Sequence, residues 1–212
     1  FSRSVAKESG KKGVTCQAIF VAGGAEKNLD APLRFVMSAK SAYVDGQVIT
    51  VRAADAVDYP DWHKPLAGKV ALVTGASRGI GRVVAERLAN DGFRVIGTAT
   101  SENGAASIRE ALQAIDADND AVVLNIADAE QTNEALKSFL TDFGTPAVIV
   151  NNAGITRDNL FLRMSDDEWG DVINTNLSGV FRVCKIMVKP MIKQKAGTII
   201  NISSIILSRA FF

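Results

Sequence analysis

The chain has 212 residues, 47% hydrophobic and 22% charged, with a formal net charge of +1. That balance suits a globular protein with room for one good-sized domain, or a domain and part of another, and its near-neutral charge removes any electrostatic case for nucleic acid or an anionic membrane. No apolar run approaches the ~18 residues of a membrane span, no signal peptide is expected, and Cys16 and Cys184 form no motif, so both read as buried thiols of a reducing, cytoplasmic compartment.

Residues 1–8 read as the end of a helix, stopped by Ser9-Gly10-Lys11-Lys12-Gly13 with Gly10 as its C-cap. Residues 14–21 are a strand candidate closed by Gly23-Gly24, and Pro32 opens a short helix with Leu33, Phe35, Val36 and Met37. Asp45-Gly46 signals a turn before a strand at 47–51. Residues 52–66 have no period and contain Pro60 and Pro65, which makes them a linker. The only histidine, His63, lies there and reads as a surface residue; no metal site is expected.

From Lys69 onward strands and helices alternate. Strands fall at 69–74, 94–99, 121–125, 147–150 and 198–202, and helices at 79–90, 104–115 and 129–142. Ser165-x-x-Glu168 has the form of a capping box and opens a long helix, about 166–194. That helix should bury Ile173, Leu177, Val180, Cys184, Met187 and Met191 on one face, with Pro190 kinking or weakening its last turn. The alternation predicts an α/β fold, a doubly wound, Rossmann-like parallel sheet, incomplete at its C-terminal end.

The chemistry concentrates at turns after strands. Gly75-x-x-x-Gly79-x-Gly81 lies between a strand and a helix. Such glycines let backbone approach a pyrophosphate, and the helix N–H groups then face its charge; the plain alternative is a strand-to-helix turn with no ligand. The second strand ends at Thr100-Ser101 with no acid before Glu102 to hold a free ribose 2′-hydroxyl. Arg78 in the turn can hold a 2′-phosphate, or can be an ordinary surface arginine. Together these favour NADP(H) over NAD(H) and speak against S-adenosylmethionine. Asn151-Asn152-Ala153-Gly154 follows another strand and can bind ribose and brace its neighbour, or be a simple turn. Asn176, on or beside the apolar face of the long helix, needs hydrogen-bond partners. Ser203 and Ser204, where the last strand exits, can polarise a substrate carbonyl or merely cap the next segment of chain.

Thr74-Gly75-Ala76-Ser77-Arg78-Gly79-Ile80-Gly81, Asn151 to Ile155, Asn174-Thr175-Asn176-Leu177 and Ile200 to Ser204 resemble the short-chain dehydrogenase/reductase family. Residues 97–104 and 154–160 further resemble its bacterial 3-oxoacyl-acyl-carrier-protein reductases, and the match runs from about Gly68 to Ile205. The resemblance implies NADPH, with Ser77, Arg78 and Thr100 near the 2′-phosphate, Asn125 and Ile126 flanking adenine, and Asn152, Ala153 and Gly154 at the ribose. It implies Ser204 as the catalytic serine, Asn176 as the anchor of a proton-relay water, and a 3-oxoacyl thioester substrate on acyl carrier protein or coenzyme A. A homo-oligomer pairing through long helices is also implied.

The family's acid, a tyrosine with a lysine four residues on, has no match: Tyr43 and Tyr59 are followed at that spacing by Gln47 and His63. The expectation is therefore a fragment, with a catalytically inactive dinucleotide-binding piece as the alternative reading. Residues 1–51 resemble the C-terminal part of an upstream domain of the same family, as in high-molecular-weight 3-oxoacyl reductases, with 67–212 as the NADP-binding domain lacking its last third. The linker is long enough for residues 14–21 and 47–51 to cover the open edge at 198–202 and complete that sheet.

Overall fold

The computed structural model describes residues 1–55, 64, 66–158 and 160–203. The chain forms two compact units, Phe1–Tyr59 and Pro60–Phe212.

In the first unit, helix α1 (Ser2–Ser9) runs into a 3-10 turn at Gly10–Lys12. Gly10 is the C-cap of α1, as expected, but stays right-handed at φ −58°; Gly13, at φ 78°, makes the left-handed turn that ends the 3-10 segment. Strand β1 (Ala18–Val21) is shorter than predicted. The residues before it are drawn toward Asp45, whose Oδ1 accepts from Cys16 N (2.7 Å) and Gly46 N (2.9 Å). Helix α2 (Asp30–Val36) has Pro32 in its first turn, where a missing N–H removes no intrahelical bond. Strand β2 (Val48–Val51) pairs parallel with β1, Ala18 opposite Val48 and Val21 opposite Val51. Among the described residues these strands form a two-stranded sheet of their own.

The second unit follows the predicted alternation: β3 (Val70–Val73), α3 (Gly79–Asn90), β4 (Arg94–Ala99), α4 (Glu102–Gln113), β5 (Asp120–Val123), α5 (Ala129–Asp142) and β6 (Val148–Asn151). A helical stretch then runs as α6 (Asp166–Ile173), a π segment (Asn174–Gly179) and α7 (Val180–Lys193), before β7 (Thr198–Asn201). The sheet is parallel in the order β5-β4-β3-β6-β7. Among the described residues β7 pairs only with β6, leaving its outer edge without a ladder.

Residue alternation assigns the two faces of this sheet. Ala71, Val73, Val95 and Val150 pack with Ala85 and Ala89 of α3 and Ile108 and Leu112 of α4. Leu72, Ile96 and Ile149 pack with Leu136 and Phe139 of α5 and Val183, Met187 and Met191 of α7. Each fully buried large side chain among these stabilises the fold by about 1.5–3 kcal/mol relative to exposure. The doubly wound α/β expectation thus holds, with a separate core on each face.

The capping box is present in full: Ser165 Oγ accepts from Glu168 N, and Glu168 accepts from Ser165 N. The expected stripe beyond it is only half right. Met187 and Met191 are buried, but Ile173 and Leu177 are exposed and Cys184, like Cys16, is only half-buried. The i→i+5 bonds of the π segment add a residue to one turn and displace everything before it on the helix surface. The buried row after that turn is Gly179, Val183, Met187 and Met191, one residue in every four. Helix α7 stays helical through Pro190 to Lys193. Among the described residues no helix is long and apolar enough to cross a membrane.

Candidate functional site

The turn after β3 is built by two threonines and two close approaches. Thr98, buried in β4, takes the turn's amides: its carbonyl accepts from Ala76 N (2.7 Å) and its hydroxyl from Gly75 N (3.3 Å). Gly75 has φ +64°, and a Cβ there would lie 2.9 Å from Ala153 Cα. A Cβ on Gly81 would lie 2.3 Å from both Gly75 O and Asn152 Nδ2. Gly81 therefore lets α3 start directly against the turn, and it does not line the crevice above it.

Thr74, fully buried at the end of β3, joins the turn to β6. Its hydroxyl accepts from Asn152 N and Ala153 N (both 3.0 Å) and donates to Val150 O (3.3 Å). Asn152 returns the link, donating from Nδ2 to Thr74 O (3.1 Å) and Gly75 O (3.0 Å). Of the two roles open to this asparagine, its NH₂ group performs the bracing one. Asn151 is buried, with Nδ2 donating to Asn201 Oδ1 (2.9 Å) and Cys184 Sγ (3.4 Å) and Oδ1 unpartnered among the described residues.

Over the carboxyl ends of β3, β4 and β6 lies a crevice of two adjoining parts, about 410 Å³ and about 790 Å³. It opens where the strand order reverses on either side of β3, the usual ligand position of a doubly wound sheet. Gly75, Ser77, Arg78, Gly79, Ile80, Thr100, Asn125, Ile126, Asn152, Ala153 and Gly154 all line the first part. Asn176 lines the second, with Ser203 and Asn201. Ser204 lies outside the described residues. Among the described residues neither part has an aspartate or glutamate in its wall.

Arg78 is exposed at the lip, makes no ion pair among the described residues, and stands at the N-cap of α3. No side chain caps α3 and its first turn holds no acid. Its first N–H groups are thus left for whatever occupies the crevice. At β4, Ser101 Oγ accepts from Gly104 N (3.2 Å) and caps α4, with Glu102 drawn into that helix's first turn.

Asn176 is exposed, not buried beside the apolar face as expected, because the π segment turns it outward. It still satisfies its amide: Oδ1 accepts from Ile155 N (2.9 Å) and Nδ2 donates to Ile155 O (2.8 Å). This pair fixes the loop after β6 against the helix. On the same rim Arg157 pairs with Asp171 at 2.9 Å. Sequence reading missed Thr74 and Thr98; the available signal was a threonine at the end of an otherwise aliphatic strand, where a hydroxyl needs a reason.

A glycine turn on the central strand, an uncapped helix start and a crevice at the switch point define a doubly wound α/β fold with its ligand position open. The chain belongs to the short chain dehydrogenase family, which its residues 69–211 match. It is 52% identical over 141 residues to the 3-oxoacyl-acyl-carrier-protein reductase FabG of Vibrio harveyi, covering 66% of this chain and 57% of that protein. The Escherichia coli (strain K12) protein of the same name is 52% identical over 139 residues, covering 66% and 56%, and that of Pseudomonas aeruginosa 50% over 141 residues, covering 66% and 57%. The chain thus spans little more than half the length of these relatives.

Proposed function

We propose that residues 67–212 form the dinucleotide-binding part of an NADPH-dependent reductase of 3-oxoacyl thioesters. The single observation that carries this reading is the cradle at Gly75 to Gly81. An added Cβ at Gly79 meets open space while those at Gly75 and Gly81 collide with backbone, so the turn is tight beneath and clear above. The uncapped start of α3 and the unpaired Arg78 then offer N–H groups and a guanidinium to phosphate. With no carboxylate among the described residues of the crevice wall, a 2′-phosphate meets no like charge there, which favours NADP(H) over NAD(H).

In this reading Ser77, Arg78 and Thr100 hold the 2′-phosphate, Asn125 and Ile126 flank adenine, and Ala153 and Gly154 back the ribose beside Asn152. When bound, the dinucleotide supplies the hydride. Ser204 polarises the substrate carbonyl. Asn176 holds Ile155 in place with its amide, which keeps one N–H and one oxygen lone pair for a relay water. The thioester is carried by acyl carrier protein, as the relatives' name has it, or by coenzyme A. Residues 1–51 are the C-terminal part of an upstream domain of similar build, supported by the parallel β1–β2 pair with α2 between its strands. The parent protein is a homo-oligomer.

A second reading is favoured by the tyrosines. Neither Tyr43 nor Tyr59 has a lysine four residues on, so these 212 residues hold no Tyr-x-x-x-Lys acid. On this reading the chain by itself binds dinucleotide without turning over. NADPH fluorescence enhancement and NADPH oxidation with an acetoacetyl thioester separate the two. Binding without oxidation supports the second reading for this chain, robust oxidation refutes it, and absence of binding to either NADPH or NADH refutes both.

A further inference from the structure

One cation holds the back of the crevice wall. Arg182 on α7 is half-buried and donates from Nη1 to Ile126 O (3.0 Å), Ala127 O (3.2 Å) and Asn174 O (3.4 Å). Its Nη2 donates to Asn174 Oδ1 (2.7 Å). Asn174, first residue of the π segment, donates from Nδ2 to the same Ala127 O (2.9 Å). Ile126 is 3% exposed and lines the crevice. Behind it, a Cβ on Gly179 would fall 2.8 Å from Ile126 Cγ1, so helix and wall touch.

No carboxylate pairs with Arg182 among the described residues. Its charge is spent on neutral oxygens, in a planar fork that fixes their positions. An apolar side chain could fill the same space but could not hold these carbonyls. The network has two ends. One is the Ile126–Ala127 wall. The other, through Asn174, is the π segment, whose Asn176 grips Ile155 on the opposite rim.

We propose that Arg182 is a positioning residue for the dinucleotide site, holding the Ile126–Ala127 wall in register with the π segment. The proposal rests on the dinucleotide reading above. Arg182 touches no ligand itself; it sets where the wall stands when the adenosine end arrives.

The test titrates the 212-residue chain with NADPH and with 2′,5′-ADP, which carries only the adenosine end. Arg182→Met keeps the bulk and removes the donors, and should weaken both ligands about tenfold or more. Arg182→Lys keeps the charge and some donors, and should recover part of that loss. Asn174→Ala should weaken binding less than Arg182→Met, and the double variant should bind no worse than Arg182→Met, because both changes break one network. A role in packing alone predicts lower melting temperatures, no rescue by lysine and additive effects. If Arg182→Met does not fold, Arg182→Lys and Asn174→Ala decide: weaker binding of both ligands with folding kept supports the positioning role, and wild-type affinity in both overturns it. Wild-type affinity in Arg182→Met, or lysine no better than methionine, overturns the positioning role alone. A wild-type chain that binds neither NADPH nor NADH overturns the dinucleotide reading and this role with it.

Discussion

Replacing Thr74 by valine tests whether one hydroxyl holds the turn to the neighbouring strand. The shape of the side chain is nearly kept; the hydroxyl is lost. Asn152 N and Ala153 N, each 3.0 Å from that oxygen, lose their acceptor, and Val150 O loses a donor at 3.3 Å. Thr74 is fully buried, so water does not replace it easily. A buried group left without its partner costs about 1–3 kcal/mol. The two amides are partly buried, which puts the total at roughly 2–4 kcal/mol. In a unit of this size each 1 kcal/mol moves the melting temperature by about 2–4 °C, so the expected fall is roughly 4–16 °C. Thermal melts by circular dichroism measure it, and amide exchange at Asn152 and Ala153 should quicken selectively. Thr74→Ser keeps the hydroxyl and loses one methyl, so it should fall by about 1 kcal/mol. A valine variant as stable as wild type, or a serine variant as unstable as the valine one, would refute the reasoning.

Gly81→Ala places a methyl 2.3 Å from Gly75 O and Asn152 Nδ2, and should destabilise by about 1–3 kcal/mol while reducing NADPH binding; melts and fluorescence titration read both. Arg78→Ala should narrow the NADPH-to-NADH affinity ratio by about tenfold, since it removes a charge-assisted contact to the phosphate that only one of them carries; an unchanged ratio would assign the preference elsewhere. Asn176→Ala strands both Ile155 N and Ile155 O, and a denaturant titration should show about 1–2 kcal/mol lost, with faster exchange at Ile155. Ser165→Ala removes the capping box and should lower stability by about 1 kcal/mol with dinucleotide binding unchanged.

Helix α3 is readable to the residue because local signals bracket it, the glycine turn before and Gly92, at φ +97°, after. The crevice residues were legible for a related reason. Strand ends in a parallel sheet must converge on one edge, so Ser77, Thr100, Asn125 and Asn152 meet without any sequence link between them. What sequence could not supply was set by tertiary contacts. Residues 14–17 have a strand's composition, yet Asp45 takes the amide of Cys16 from 29 positions away. Ile173 and Leu177 fit a 3.6-residue stripe with Met187 and Met191, and only a change of helical pitch between them exposes the first pair. Arg182 announces nothing in sequence, and Thr74 only its place at the end of an aliphatic strand, because the importance of each is the number of backbone partners it meets on other elements.

The π segment carries a consequence for insertions and deletions. It is in effect one residue too many in an otherwise continuous helix from Asp166 to Lys193. Deleting one residue within 174–179 would restore ordinary helical pitch and lose no segment of the fold. Six residues of a π turn and five of an α-helix sweep nearly the same angle, so the helix before the deletion would keep its direction relative to α7. What would go is the bulge itself, which holds Asn174 against Arg182 and Asn176 against Ile155. A one-residue gap at this place would therefore spare the sheet and its helices and disturb only the rim of the crevice.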